Sequence, residues 1–389
     1  MENDRKAKVI VSTVGTSLIT NFLDPDERQK WAGRLNASAN LREDKVDPEI
    51  KEFIDSSVRS VCEKLKNGDV NDRRRRSAEL NGIYGIYGGY FPEGARQDIH
   101  YLVKTDTYQG SLTANLLKDF LIHEGFAAEV VNTKDLNTNS TKEFNSGIRD
   151  LIHWCHTNLV PFKDSGYRIY FNLVGGFKAL QGYMNTIGMF YADRLYYIFE
   201  GSNNMINIPK LPIKIDINAL KPHVALLAMM SESYVCREHE VQGLSRVFFD
   251  SDGKDVILSP SGELMWDQVK EDVFVEDLLV FPNIKYSDEF KRNFQKAQKW
   301  EKIALQETLA KVACLLAESG GDLSALKGDH GLRLEKYQDR YEVCLEENSK
   351  AARPISKFRV NNDMRVTCVK EGNSLVMRKF DHHKVNDNP

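Results

Sequence analysis

The sequence predicts an α/β domain of the Rossmann-like class, then a helical connector, then a smaller α+β domain. Three observations carry that expectation. Apolar strand-length runs alternate with helix-period segments as far as residue 216, the pattern of a mainly parallel sheet with crossover helices. The texture changes near 217, where a helical stretch and a hairpin-like stretch run to 284. From 285 onward, two helices precede a series of short strands, the order expected of an α+β unit. The expected domains are therefore 1–216, 217–284 and 285–389. Two or three domains also suit a chain of 389 residues.

Taken in order, KVIVS (8–12) is an apolar strand running into the small-residue loop TVGTS. Residues 47–66 have helical periodicity. The run Arg73–Arg76 leads into SAELNGI as helix, its four arginines reading as a solvated face. DIHYLVKTDTYQG (98–110) is a strand ending in a polar loop, and the helix 111–125 is closed by Gly125. AAEVV (127–131) is a strand and 143–159 an amphipathic helix; His153, Cys155 and His156 belong to that helix and have no partner cluster nearby in sequence. Strand YRIYFNL, loop VGGFK and helix ALQGYMNTIGMFYA follow, and 193–216 returns to strand. Residues 217–235 are helical, and KDVILSPSGELMWDQVK resembles a small hairpin-and-helix module. A helical pair covers 287–318, and strands are expected at 341–345, 357–361, 364–371 and 374–383.

Composition narrows the classes. Hydrophobic residues make up 41% and charged residues 28%, an ordinary globular balance. No run approaches the ~18 apolar residues of a membrane span, and MENDRKAKVIVSTVG reads as a first strand rather than a signal peptide. Six cysteines without a CxxC pair point to a reducing, cytoplasmic setting and away from disulfides or a structural zinc. Residues 281–389 hold 20 Lys and Arg against 16 Asp and Glu, a balance of +4; the remaining 33 against 40 leave −7. Any polyanion-binding surface is therefore local.

Three strands, ending at Val11, Val103 and Leu173, run into polar or glycine-bearing loops, and ligands of such folds collect at the carboxyl edge of the sheet. TVGTS offers Ser12, Thr13, Thr16 and Ser17 around Gly15, hydroxyls and N–H groups suited to an anion. VGGFK adds Gly175 and Gly176 for close backbone approach and Lys178 as a point charge. A dinucleotide fingerprint and a P-loop are both missing from the sequence.

STVGTS, the TDT loop, NLVGGFK and the closing IPKLPIKID together resemble the CARF domain of CRISPR-associated proteins over about residues 6–216. The resemblance implies a homodimer that binds a cyclic oligoadenylate, most often cyclic tetra-adenylate, across its twofold axis. It places Ser12, Thr13, Gly15, Thr16 and Ser17 in a first ligand loop, Asp106 and Thr107 in a second, and Gly175, Gly176 and Lys178 in a third. Some relatives also cut the ring through its own 2′-hydroxyl. Ser12 and Lys178 are the candidates for that ring-nuclease chemistry, and no general base is evident.

The C-terminal part gathers Lys327, Arg333, Glu335, Lys336, Arg359, Arg365, His382 and His383 in one short span. Alternation turns Phe358 and Val360 inward and Arg359 outward. Cations, a carboxylate and histidines supply what metal-independent RNA cleavage needs, and no acidic cluster that would hold a metal is visible. "GLRLEKY…KFRVNNDMRVTCVKEGNSLVMRKFDHH" resembles the RelE/YoeB/HigB family of toxin ribonucleases over about 285–389. The resemblance implies a transition-state role for Arg365 and a preceding basic residue at Arg359. It assigns Arg333, Glu335 and Lys336 to the loop before the sheet, and His382 or His383 to the chain's end. Members of that family mostly cut messenger RNA in the ribosomal A site, so ribosome and mRNA are the implied partners.

Joined, the two resemblances imply a ribosome-dependent mRNA endoribonuclease of type III CRISPR antiviral defence. It would need no cofactor and would take cyclic oligoadenylate as allosteric activator. The rival reading is a transcription regulator with a winged helix-turn-helix in 217–270. A ribosome-independent ribonuclease is disfavoured by the thin +4 of the C-terminal part.

Overall fold

The computed structural model describes residues 6–199, 202, 204–337, 341–343 and 352–382. The chain divides into two compact units, Met1–Lys214 and Ile215–Pro389.

The first unit begins with β1 (Lys8–Thr13), α1 (Ser17–Phe22), α2 (Pro25–Ser38) and α3 (Pro48–Asn67). Helix α3 starts where expected: Pro48 opens it and the Asp47 carboxylate accepts from the N–H groups of Glu49 and Ile50. Then come α4 (Val70–Arg76), α5 (Ala78–Ile86), β2 (Ile99–Val103), α6 (Tyr108–His123), β3 (Ala127–Val131) and α7 (Thr141–Asp164). The unit closes with β4 (Arg168–Asn172), α8 (Lys178–Tyr191), β5 (Arg194–Ile198) and β6 (Met205–Ile208). The strands form one six-stranded sheet in the order β3-β2-β1-β4-β5-β6. All neighbours are parallel except β5 and β6. This is the mostly parallel, Rossmann-like sheet that the alternation of strands and helices predicts. The order reverses between β1 and β4, and there a crevice opens at the carboxyl edge.

The arginine run differs from expectation. It closes α4, and the segment after it is a separate helix, because Ser77 is extended and caps α5 by accepting from Leu80 N. Arg73 is buried rather than solvated: its guanidinium donates to Leu65 O and Lys66 O, both at 2.6 Å, and to Tyr84 Oη at 3.1 Å. It satisfies carbonyls that the last turn of α3 leaves open.

The second unit starts with α9 (Ile217–Leu220), α10 (Val224–Ser231), β7 (Cys236–Arg237), β8 (Phe249–Asp252), β9 (Asp255–Leu258) and α11 (Pro260–Glu276). It continues with β10 (Ile284–Tyr286), α12 (Asp288–Lys296), α13 (Lys299–Glu318) and α14 (Leu323–Gly328). Five further strands end it: β11 (Glu335–Lys336), β12 (Glu342–Val343), β13 (Arg353–Arg359), β14 (Met364–Glu371) and β15 (Ser374–His382). The larger sheet runs β10-β15-β14-β13-β11, with β12 also on β13. Its pairs are antiparallel apart from β10 with β15. A mostly antiparallel sheet with helices is the α+β architecture anticipated for the C-terminal part.

The segment 217–284 belongs to the same hydrophobic core. Leu227, Phe248, Trp266 and Phe274 are buried with Phe290, Leu309, Phe358 and Phe380. Nor is it winged-helix-like. Between β7 and β8 the chain forms only a single 3-10 turn, Arg246–Phe248, where a winged helix would place its groove-reading helix.

Candidate functional site

In the first unit a cleft of about 780 Å³ opens where the strand order reverses. The loop after β1 contributes Gly15, Thr16 and Ser17, and the loop after β4 contributes Gly175, Gly176, Phe177 and Lys178. Pairing of Ser12 with Asn172 in the central register brings the two loops side by side. Gly176 has φ +98°, and a Cβ there would meet the Thr13 side chain at 2.9 Å. At Gly175 a Cβ would stand 2.2 Å from Glu79 Oε1. Both glycines are thus required by geometry, one for its backbone and one for space.

The loops are latched from below. The Glu79 carboxylate, 2% exposed, accepts from Gly15 N at 2.8 Å and from Ser77 Oγ at 2.9 Å. Thr13 Oγ1 donates to Gly175 O, and Gln181 Nε2 donates to the same carbonyl at 2.9 Å. Asn172 Nδ2 donates to Ser12 Oγ at 3.1 Å and to Glu79 O at 3.0 Å. Ser12 and Thr13 are fully buried. They hold up the cleft and do not line it, which corrects their expected place in a ligand-facing loop and removes Ser12 as a cleft hydroxyl. The Gly15 N–H is likewise engaged by Glu79, so Thr16, Ser17 and Lys178 are what these loops offer a ligand. Helix α8 adds its N-terminus: Phe177 provides no side-chain cap, and Lys178 is the first helical residue.

Asp106 and Thr107 lie elsewhere. The Asp106 carboxylate sits 3.2 Å from Arg42, which also reaches Asp135. Thr107 Oγ1 caps α6 by accepting from Gly110 N at 3.1 Å. Both line a separate groove with Lys51 and Tyr108, so the cleft is built from two of the three expected loops. In their stead come residues that the sequence reading missed: Arg74 and Arg75 from α4, Asn81 from α5, and the aromatic rings of Tyr197 and Phe199 at the end of β5. Phe199 is 63% exposed, which leaves its ring open at the cleft edge. The signal for the arginines was present, since four in a row next to a glycine-rich cleft is a polyanion pattern, but helix periodicity alone cannot tell which of them turn inward.

In the second unit, register decides which candidates meet. Arg359 is opposite Arg365, Arg365 is opposite Asp381, and Glu335 is opposite Lys357. Alternation puts Glu335, Lys357, Arg359, Arg365 and Asp381 on one face, while Phe358, Met364 and Val366 enter the core on the other. Arg333, held at φ +48°, stands beside Leu332, whose carbonyl accepts from Arg359 N at 2.6 Å. Burial first, then the neighbouring Arg359 and Arg333, lower Arg365 from its ordinary guanidinium value, while Glu335 opposes them. Arg365 Nη1 is aimed by the β13–β14 turn, donating to Asn361 O at 2.6 Å and Met364 O at 2.8 Å. Arg359 Nε is buried without a hydrogen-bond partner among the described residues. A buried unpaired donor beside two like charges is a place for an anion.

Two candidates fall outside this face. Lys336 is opposite Ser356 and lines a groove of about 410 Å³ with Arg353 and Lys370. His382 is opposite Met364, and its Nε2 lies 3.3 Å from Glu301 Oε1 on α13. His383 lies outside the described residues.

The first unit is therefore a Rossmann-like domain with a cationic, aromatic-edged cleft at its switch point. Residues 74–211 match the family described as CRISPR-associated protein (Cas_APE2256), a CARF-type domain. The match takes in Arg74, Arg75 and the loop carrying Lys178, and starts after β1. No helix among the described residues is long and apolar enough to cross a membrane. Among the same residues no group of His, Cys, Asp and Glu is placed to hold a metal ion.

Proposed function

We propose that the chain is a cyclic oligoadenylate-activated ribonuclease of CRISPR defence, with the messenger bound by the first unit and RNA cut by the second. The observation that carries the nuclease half is the register that sets Arg359 and Arg365 side by side with Glu335 on one face. In this reading Glu335 takes the proton of an RNA 2′-hydroxyl, whose oxygen attacks the adjacent phosphorus. Arg365 and Arg359 balance the charge that grows on the phosphorane. The 5′-oxygen leaves with a proton, for which the family resemblance offers His382 or His383. Supporting the sensor half are Lys178, Arg74 and Arg75 around a cleft large enough for a nucleotide unit, together with two aromatic rings at its edge. A twofold dimer would present two such half-sites to one ring.

The rival reading as a DNA-binding regulator is not favoured, because 238–248 holds only the 3-10 turn Arg246–Phe248, too short to enter a groove. The test is a reconstituted translation reaction with mapped mRNA ends, run with and without cyclic tetra-adenylate. The expected result is ligand-dependent cleavage on ribosomes that drops by a factor of about 100 or more in Arg365→Ala. Cleavage indifferent to the messenger, or to Arg365, overturns the proposal.

A further inference from the structure

A second concave surface of the first unit has no role in this account. Lys104 follows the end of β2, Asn132 follows the end of β3, and both line a groove of about 560 Å³ along the edge strand. Ser111, Asn115 and Lys118 come to it from one face of α6. The spacing of these three, four and then three residues, keeps them on a single helical stripe.

The telling residue is Lys104. It is 8% exposed, and it makes no hydrogen bond or ion pair with a described residue, although acids outnumber bases in this part of the chain. The stem is what is covered: the ammonium is not among the buried side-chain atoms left without a partner, so the charged tip opens to the groove it lines. Lys118, half-buried in the same groove, has no such partner either. Glu129 also lines the groove, but it pairs with neither lysine. Burial lowers Lys104 from the ordinary lysine value, with Asp106 opposing. An arriving anion would reverse that shift.

We infer that this groove is a second, separate oxyanion site that takes a phosphoryl group between Lys104 and Lys118, with Asn115 and Asn132 at its rim. The inference does not depend on the proposed messenger or on nuclease activity. Its chemistry admits inorganic phosphate or the phosphate of a nucleotide, and the experiment separates them.

Calorimetric titration of the intact chain with inorganic phosphate, AMP and adenosine provides the measurement. Phosphate and AMP are expected to bind, and Lys104→Met and Lys118→Gln each to weaken binding about tenfold, the loss of one charge-assisted contact. Equal affinities for phosphate and AMP identify a bare oxyanion site; tighter AMP binding identifies a nucleotide site. Lys118 stands at the surface of α6, so its substitution carries the test even if Lys104→Met disturbs the fold. Absence of binding, binding indifferent to both substitutions, or adenosine binding as well as AMP overturns the inference.

Discussion

At Gly175 a single missing Cβ decides the shape of the cleft. A methyl group there would meet Glu79 at 2.2 Å, and Glu79 is pinned by Gly15 and Ser77, so the carboxylate has no easy retreat. Gly175→Ala is expected to cost about 1–3 kcal/mol of stability, as overpacking does, and to weaken the proposed messenger binding without removing any charge. Thermal melting and a binding titration check both. Lys104 gives the opposite expectation. Its folded pKa is lowered by burial, so below the folded value both folded and unfolded states carry the proton and the folded state bears the cost of the partly desolvated charge. As pH rises through the folded value toward the unfolded value of about 10.4, the folded state loses its proton first and the cost is relieved. Lys104→Met should therefore raise Tm, more at pH 7 than in the alkaline range. A Tm gain that grows with pH contradicts this.

One side chain reaches from α4 to both α3 and α5. Arg73 joins the end of α3 to Tyr84 on α5 through three hydrogen bonds, and it lies over the ring of Phe120. Arg73→Ala leaves buried carbonyls unmet and is expected to destabilise the first unit by about 2–4 kcal/mol. Arg75→Ala, two residues on and exposed, should leave Tm nearly unchanged while weakening the proposed messenger binding. Comparing the two melting curves tests the assignment. The strand–helix alternation was legible because periodicity reports burial, and it located every strand of the first sheet. The division at Ser77 and the inward turn of Arg73 were not, since an arginine run has one composition whether it faces water or carbonyls. Likewise STVGTS announced a loop, but the fully buried state of Ser12 and Thr13 depends on Asn172, 160 and 159 residues away. In the second unit, the pairing of Arg359 with Arg365 followed from two strands and a tight turn. The separation of Lys336 and His382 from that face followed from registers that no local pattern states.

The whole chain parts at Lys214, and residues 209–214 are exposed and without regular secondary structure. Limited trypsin digestion should cut first at Lys210 or Lys214 and leave two folded fragments, each with its own thermal transition. A first cut elsewhere, or joint collapse of both fragments, would contradict that division. Within the second unit, β10 is, among the described residues, the one strand that runs parallel to its neighbour, residues 284–286 lying along 375–377. The grip is reinforced by Ser287, whose backbone and hydroxyl donate to Met377 O and Arg378 O at 2.9 and 2.7 Å. Mechanically, a pull arriving from α11 loads these bonds together in shear instead of peeling them one by one. Strand β15, which carries Asp381, is in turn laddered to β14 from Ser374 to His382, so the load passes on to β14 and Asp381 and Arg365 travel together, their spacing held by the sheet.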